Sequence, residues 1–170
     1  MNDPPLELFR RLTSGLYVIG VAHDRQRNAF TAAWLSQVSF EPLLLALGVN
    51  PAHASYPLLS AAGCFTVSVL RRGQLELARH FGTVSGRLVD KLAGQRWQAA
   101  LGGAPVLTDA AAYLECRVIG RHVAGDHELV LGQVVGGRVL DPEATPMTYG
   151  ETGNLDGSAA LYPDAFRVKE

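Results

Sequence analysis

The stretch Asn28-Ala29-Phe30-Thr31-Ala32-Ala33-Trp34-Leu35-Ser36-Gln37-Val38-Ser39-Phe40-Glu41-Pro42 mixes small residues, hydroxyls and one large aromatic. A strand buried on both faces is rich in Val and Ile, whereas Thr31, Ala32, Ala33, Ser36 and Ser39 leave room beside the backbone and place donors there. That composition suits the wall of a concave site, where apolar surface is combined with a few fixed polar groups and backbone N–H groups approach a ligand closely. For any one Thr or Ser an outward-facing strand hydroxyl is the simpler reading. The run as a whole is what points to a site.

Upstream, Leu16-Tyr17-Val18-Ile19-Gly20-Val21 is rich in β-branched and aromatic residues, and His23 to Asn28 is a polar turn, so a first strand turns back into the Phe30–Trp34 segment. Before it, Leu6, Leu8, Phe9 and Leu12 recur at helical spacing, predicting a short amphipathic helix over about 5–14. Downstream, Leu43 to Leu47 reads as a buried strand and Gly48 to Pro57 as a loop. Leu58–Ala62 and Gly73–Phe81 read as helical, with the strand Phe65–Leu70 between them. The Gly-rich region 82–104 reads as an excursion from the main sheet. Tyr113–Val123 and Glu128–Leu140 are strands joined at Gly125-Asp126, a dipeptide suited to a tight turn with positive φ. Six or so strands linked by turns, with helices confined to connections, argue for an antiparallel barrel over a doubly wound sheet. No Gly-x-Gly-x-x-Gly opens a helix, which removes the usual dinucleotide-fold signature.

At 170 residues the chain fits one domain with a substantial core. A net charge of −1, from 15 basic and 16 acidic residues, gives no reason to expect a nucleic-acid or anionic membrane partner. Without a signal-peptide pattern or an apolar run of the ~18 residues a membrane helix needs, the expected location is the cytoplasm. Cys64 and Cys116 sit in strand-like runs and read as buried free thiols, and no metal-ligand spacing exists. Residues 141–170 are too punctuated by Pro and Gly for a helix. Tyr149, Leu155, Leu161, Tyr162 and Phe166 nonetheless make them too apolar for water, so this tail is expected to lie over the barrel (about 15–140) or across a partner subunit.

The run Thr31 to Pro42 resembles the first flavin-binding segment of the flavin reductase-like family, the FMN-binding split barrels. Later pieces arrive in the family's order: Gly63-Cys64-Phe65-Thr66-Val67-Ser68-Val69-Leu70, Leu77-Ala78-Arg79-His80-Phe81-Gly82, Gly103-Ala104-Pro105-Val106-Leu107, Leu114-Glu115-Cys116-Arg117-Val118 and Gly125-Asp126-His127. Thr31–Pro42 and Tyr113–Val118 look especially like the flavin reductase module of diflavin flavodiiron proteins. The resemblance implies a mainly β fold, an antiparallel Greek-key split β-barrel with a few short peripheral helices, forming a homodimer with its site near the interface.

It also implies roles. Thr31, Ala32, Ala33, Trp34, Ser36, Gln37, Val38 and Ser39 would line the flavin ring and ribityl chain, largely through backbone groups, with Ala33 standing where relatives often carry Ser or Asn. Asn50, His53, Ser55 and Tyr56 would meet the flavin phosphate, although no Lys or Arg lies between residues 28 and 70 to add charge. Phe81 would lie near the ribityl-phosphate end, where a helix-terminal His80 held by the dipole is the simpler reading for its neighbour. His127 would orient the nicotinamide or support proton delivery, with Tyr149 covering the same face. The expected cofactor is FMN, or FAD, with NADH or NADPH as co-substrate and a separate oxygenase or other acceptor downstream. A cofactor that carries the reaction needs binding and orientation from the protein rather than a catalytic triad. The competing expectation is a non-enzymatic FMN-binding electron carrier reduced by a partner.

Overall fold

The computed structural model describes residues 5–153, 155 and 157–163. After a short helix α1 (Pro5–Phe9) come β1 (Tyr17–His23), β2 (Gln26–Ala32), β3 (Leu35–Ser39), β4 (Leu44–Val49), α2 (Tyr56–Ala62), β5 (Cys64–Val69) and α3 (Leu75–Thr83). Then follow β6 (Trp97–Ala99), β7 (Pro105–Leu107), β8 (Ala112–Ala124) and β9 (His127–Val139), with single 3₁₀ turns at Leu101–Gly103, Tyr149–Thr152 and Ser158–Leu161. The fold is mainly β and antiparallel, as expected. The expected barrel of about six strands is instead a seven-stranded sheet ordered β2-β1-β5-β8-β9-β4-β3, and β6 and β7 pair separately. No ladder joins β2 to β3, so hydrogen bonding does not close the sheet.

The sheet is nevertheless curled, and chain connectivity requires it. Its two edge strands are joined only by Ala33 and Trp34, and three Cα steps of 3.8 Å span at most about 11 Å. Seven flat strands at about 4.8 Å spacing would put those edges about 29 Å apart. Curling turns one face inward, where Ile19, Phe30, Leu47, Phe65, Cys116 and Val130 from six strands form one core. A second core lies outside, where Leu16, Val18, Ala78, Phe81, Leu107 and Met147 pack between sheet, α3 and the later loops. β1 contributes to both, which explains its unbroken apolar run. In β4, by contrast, burial alternates, with Leu45, Leu47 and Val49 inward.

Local chemistry sets the hairpins. The β1–β2 turn places Asp24 and Arg25 at φ 47° and 67°, the primed-turn conformation that matches strand twist. The β8–β9 hairpin turns at Gly125, φ 67°, where the sequence suggested. α1 is shorter than the helix expected over 5–14. Five residues are too few to stand alone, and Phe9 packs on the ring of Tyr162 at 6.2 Å. The segment 145–149 is tied to the chain beside β1 and β5: Leu16 N–H donates to Met147 O at 3.0 Å and Met147 N–H to Leu70 O at 2.8 Å. Phe166 lies outside the described residues. Neither cysteine is in a disulfide, and burial pushes the Cys116 thiol up to about 12.

Candidate functional site

Two of the predicted residues anchor clusters at opposite ends of the run Phe30–Trp34: Trp34, which meets His127, and His53, which meets Phe30. At the Trp34 end, the indole lies 4.6 Å from the His127 ring, tilted by 48°. To get there it crosses β4 at Gly48, whose N–H donates to Trp34 O at 2.8 Å. A Cβ on Gly48 would sit 3.2 Å from Trp34 Cβ and 3.3 Å from Cε3, so this glycine serves close approach rather than an unusual backbone angle. His127 Nδ1–H donates to the Asp126 carboxylate at 2.8 Å, and that bond holds Asp126 below the usual carboxylate range.

At the Phe30 end lies a cleft of about 280 Å³ lined by Ala52, His53, Ala54, the loop Gly82–Arg87 and Lys91. His53 packs against Phe30 with ring centroids 4.8 Å apart and the rings tilted by 43°, and its Nδ1 accepts the Ser55 N–H at 3.2 Å. That bond fixes the tautomer and leaves Nε2–H as the donor. Burial first, then the Lys91 and Arg87 charges, push His53 down to about 4. Lys91 is only 2% exposed, and burial lowers it to about 8. Its Nζ donates to Phe81 O at 3.0 Å, and His80 Nε2–H donates to Lys91 O at 2.7 Å, so the end of α3 grips this residue twice. Among the described residues no carboxylate pairs with Arg87 or Lys91. Asp90 is occupied by the Leu92 N–H at 2.9 Å. Next to His53, the Ser55 hydroxyl is fully buried with no hydrogen-bond partner. Two uncompensated cations, a neutral imidazole and small lining residues make a site for an anion.

Lys91 and Arg87 answer the missing charge noted in the sequence, and sequence reasoning missed both. The only local signal was the pair of glycines, Gly82 and Gly86, and the latter packs so tightly on Asn28 that a Cβ would overlap its carboxamide carbon at 2.7 Å.

The remaining predicted residues are placed as follows. The Thr31 hydroxyl donates to Ala78 O at 2.7 Å, so it anchors α3, while Ala32 packs on the inner core and Ala33 on the outer one. Ser36, Gln37 and Val38 are exposed on edge strand β3, where the Gln37 carboxamide donates to Ser39 O at 3.3 Å. Asn50 Oδ1 accepts the Ala52 N–H at 2.9 Å and shapes the loop before His53; Tyr56 opens α2. Phe81 is wholly buried in the outer core, where its carbonyl accepts from Lys91 Nζ and its ring lies 6.0 Å from that nitrogen, so it meets the cleft through Lys91. Tyr149 bonds Ser158 Oγ at 2.8 Å through its hydroxyl and Ser14 O through its amide. Arg121 ties the two halves together: its guanidinium donates to Glu128 at 2.8 Å and to Leu59 O of α2 at 2.6 Å, joining the β8–β9 hairpin to the helix after the His53 loop.

Fold and site together define a curled antiparallel sheet with an anion cleft at one end of a small-residue strand and a held imidazole at the other. The Flavin reductase like domain matches residues 9–156, so the chain belongs to that family. Diflavin flavoprotein A 1 of Synechocystis is 36% identical over 146 residues, 85% of this chain. The match takes in 26% of that protein, so the chain spans about a quarter of the length of the curated relatives it matches. An NADH:FAD oxidoreductase of Streptomyces globisporus superposes with a TM-score of 0.81 at 29% identity, covering 87% of this chain and 88% of that one. The FMN-binding protein of Thermus thermophilus, bound to p-hydroxybenzaldehyde, superposes at 0.71 with 30% identity, covering 78% and 74%. Among the described residues no helix is long and apolar enough to cross a membrane.

Proposed function

We propose that this chain is an NAD(P)H-dependent flavin reductase of the cytoplasm, acting with FMN or FAD. The observation that carries the reading is the pairing of the two half-sites along Phe30–Trp34, separated by roughly 13 Å of extended chain. That is of the order of the span between a flavin's ring and its phosphate. His53, Arg87 and Lys91 would hold the phosphate, and the backbone of 31–39 would flank the ring. A bound flavin supplies hydride acceptance from a nicotinamide. The protein's part is to hold both partners in register, with His127 meeting the nicotinamide. Electrons then pass to a separate oxygenase or other acceptor.

Purification with identification of any released flavin, followed by anaerobic bleaching with NADH and then NADPH, tests this. A yellow protein inert to both nicotinamides would instead make it an electron carrier. His127→Ala is expected to raise the nicotinamide KM, or slow flavin reduction, by about tenfold in stopped flow, while flavin affinity changes little.

The family resemblance and the exposed edge point to a homodimer. β3 pairs only with β4, and Val38, Phe40 (87% exposed) and Leu43 leave an apolar edge in water. Phe40→Asp is expected to shift sedimentation at micromolar concentration from dimer to monomer; a monomeric parent protein with flavin bound would sink the assignment.

A further inference from the structure

We infer that Trp34 is a positioning residue for His127, holding the imidazole in place rather than touching the ligand itself; the kinetic part of this rests on the reading of His127 as the nicotinamide contact. A large indole that is 59% exposed is not there for the core. It is nonetheless fixed on three sides: its carbonyl by Gly48 N–H, its Cβ and six-membered ring by the bare backbone of Gly48, and its face by His127. The register explains why. Gly48 pairs with Leu129 on β9, so Trp34, next along from the Leu35–Leu47 pair, reaches across the one β4 position without a side chain to the strand that begins at His127.

The imidazole therefore meets two partners of different kinds. Asp126 accepts from Nδ1–H, and Trp34 covers a face, leaving Nε2 for a ligand. The Asp126 bond alone is a weak tether, because that carboxylate is 87% exposed and water competes for it. His127, in contrast, is only 19% exposed, and the Trp34 ring packs against it at a tilt of 48°. Removing the indole releases the ring to turn about its side-chain bonds while Asp126, the backbone and the cleft at His53 stay as they are.

The test is a cycle of Trp34→Leu, His127→Ala and the double variant, with nicotinamide KM, kcat and flavin affinity measured for each. Trp34→Leu is expected to raise the nicotinamide KM about tenfold with flavin affinity within about threefold, and the double variant to be no worse than His127→Ala. Trp34→Phe should recover most of the loss by restoring a ring over the imidazole. Multiplying effects in the double variant would overturn the inference, because Trp34 would then contact the ligand directly. Wild-type kinetics for Trp34→Leu beside an impaired His127→Ala would also overturn it and leave the proposed function standing. A readout without turnover separates the two ideas further: long-range ¹H–¹⁵N spectra should show His127 as one Nδ1–H tautomer in the parent and an averaged ring in Trp34→Leu. An unchanged His127 spectrum in that variant overturns the positioning role whatever the kinetics.

Discussion

Lys91→Met is expected to weaken FMN binding by about 2 kcal/mol, roughly thirtyfold, and to leave riboflavin binding unchanged. The cleft offers a phosphate two cations, and Lys91 is the one that burial has already stripped of water. A charge-assisted bond made there replaces little solvent. The unliganded protein should respond in the opposite direction. In the folded chain Lys91 lies at about 8 against 10.5 for the free side chain. The unfolded chain therefore takes up the proton first as pH falls, and the buried ammonium costs stability below about pH 8. Met, of similar length and without charge, should stabilise the ligand-free protein by about 1 kcal/mol at pH 7, the gain being limited by the lost bond to Phe81 O. That advantage should shrink as pH rises from 8 toward 10.5. The same proton links to the ligand: FMN affinity in the parent should fall as pH climbs above about 8, because Lys91 must then take up a proton from solvent to meet the phosphate dianion. His53, pushed down to about 4, stays neutral and does not contribute to that slope. Isothermal titration of FMN and riboflavin from pH 6.5 to 9.5, with thermal melts of both apo proteins, checks each part. Equal losses for FMN and riboflavin would remove the phosphate from this cleft.

Gly20→Val is expected to lower stability by about 3–4 kcal/mol, a drop of roughly 6–16 °C in the thermal midpoint. Gly20 lies in the middle of β1, where a Cβ would overlap both Pro105 O and Thr66 Oγ1. Those two atoms are hydrogen-bonded to each other at 2.6 Å, with Thr66 buried. A side chain at Gly20 must push β7 off the sheet or break that bond, and either change leaves a buried carbonyl without its partner. Gly132 shows the same device on the inner face, where a Cβ would meet the Phe65 ring at 2.6 Å and Cys116 Cβ at 3.0 Å. A melt within about 1 °C of the parent for Gly20→Val would mean that β7 is not held where it lies.

What the sequence determined by itself was local. The β8–β9 hairpin was legible because Gly125-Asp126 supplies a turn between two strand-like runs, and pairing across a hairpin involves residues close along the chain. The expectation of a site rested on the small residues of the Thr31–Ser39 run and, for Gly125-Asp126-His127, on resemblance. Tertiary structure alone decided the rest. Whether the sheet closes depends on long-range edges, and only the two-residue step from β2 to β3 reveals that it curls without pairing. Resemblance placed Phe81 near the ribityl-phosphate end, and packing of α3 puts its ring in the outer core. Lys91 lines the cleft beside His53 because His80 and the Phe81 carbonyl hold it against the end of α3. Trp34 meets His127 only because Gly48, on a strand between them, has no side chain to stand in the way. Charge and aromatic contact act through space, and no spacing along one chain records which distant segments folding brings within reach.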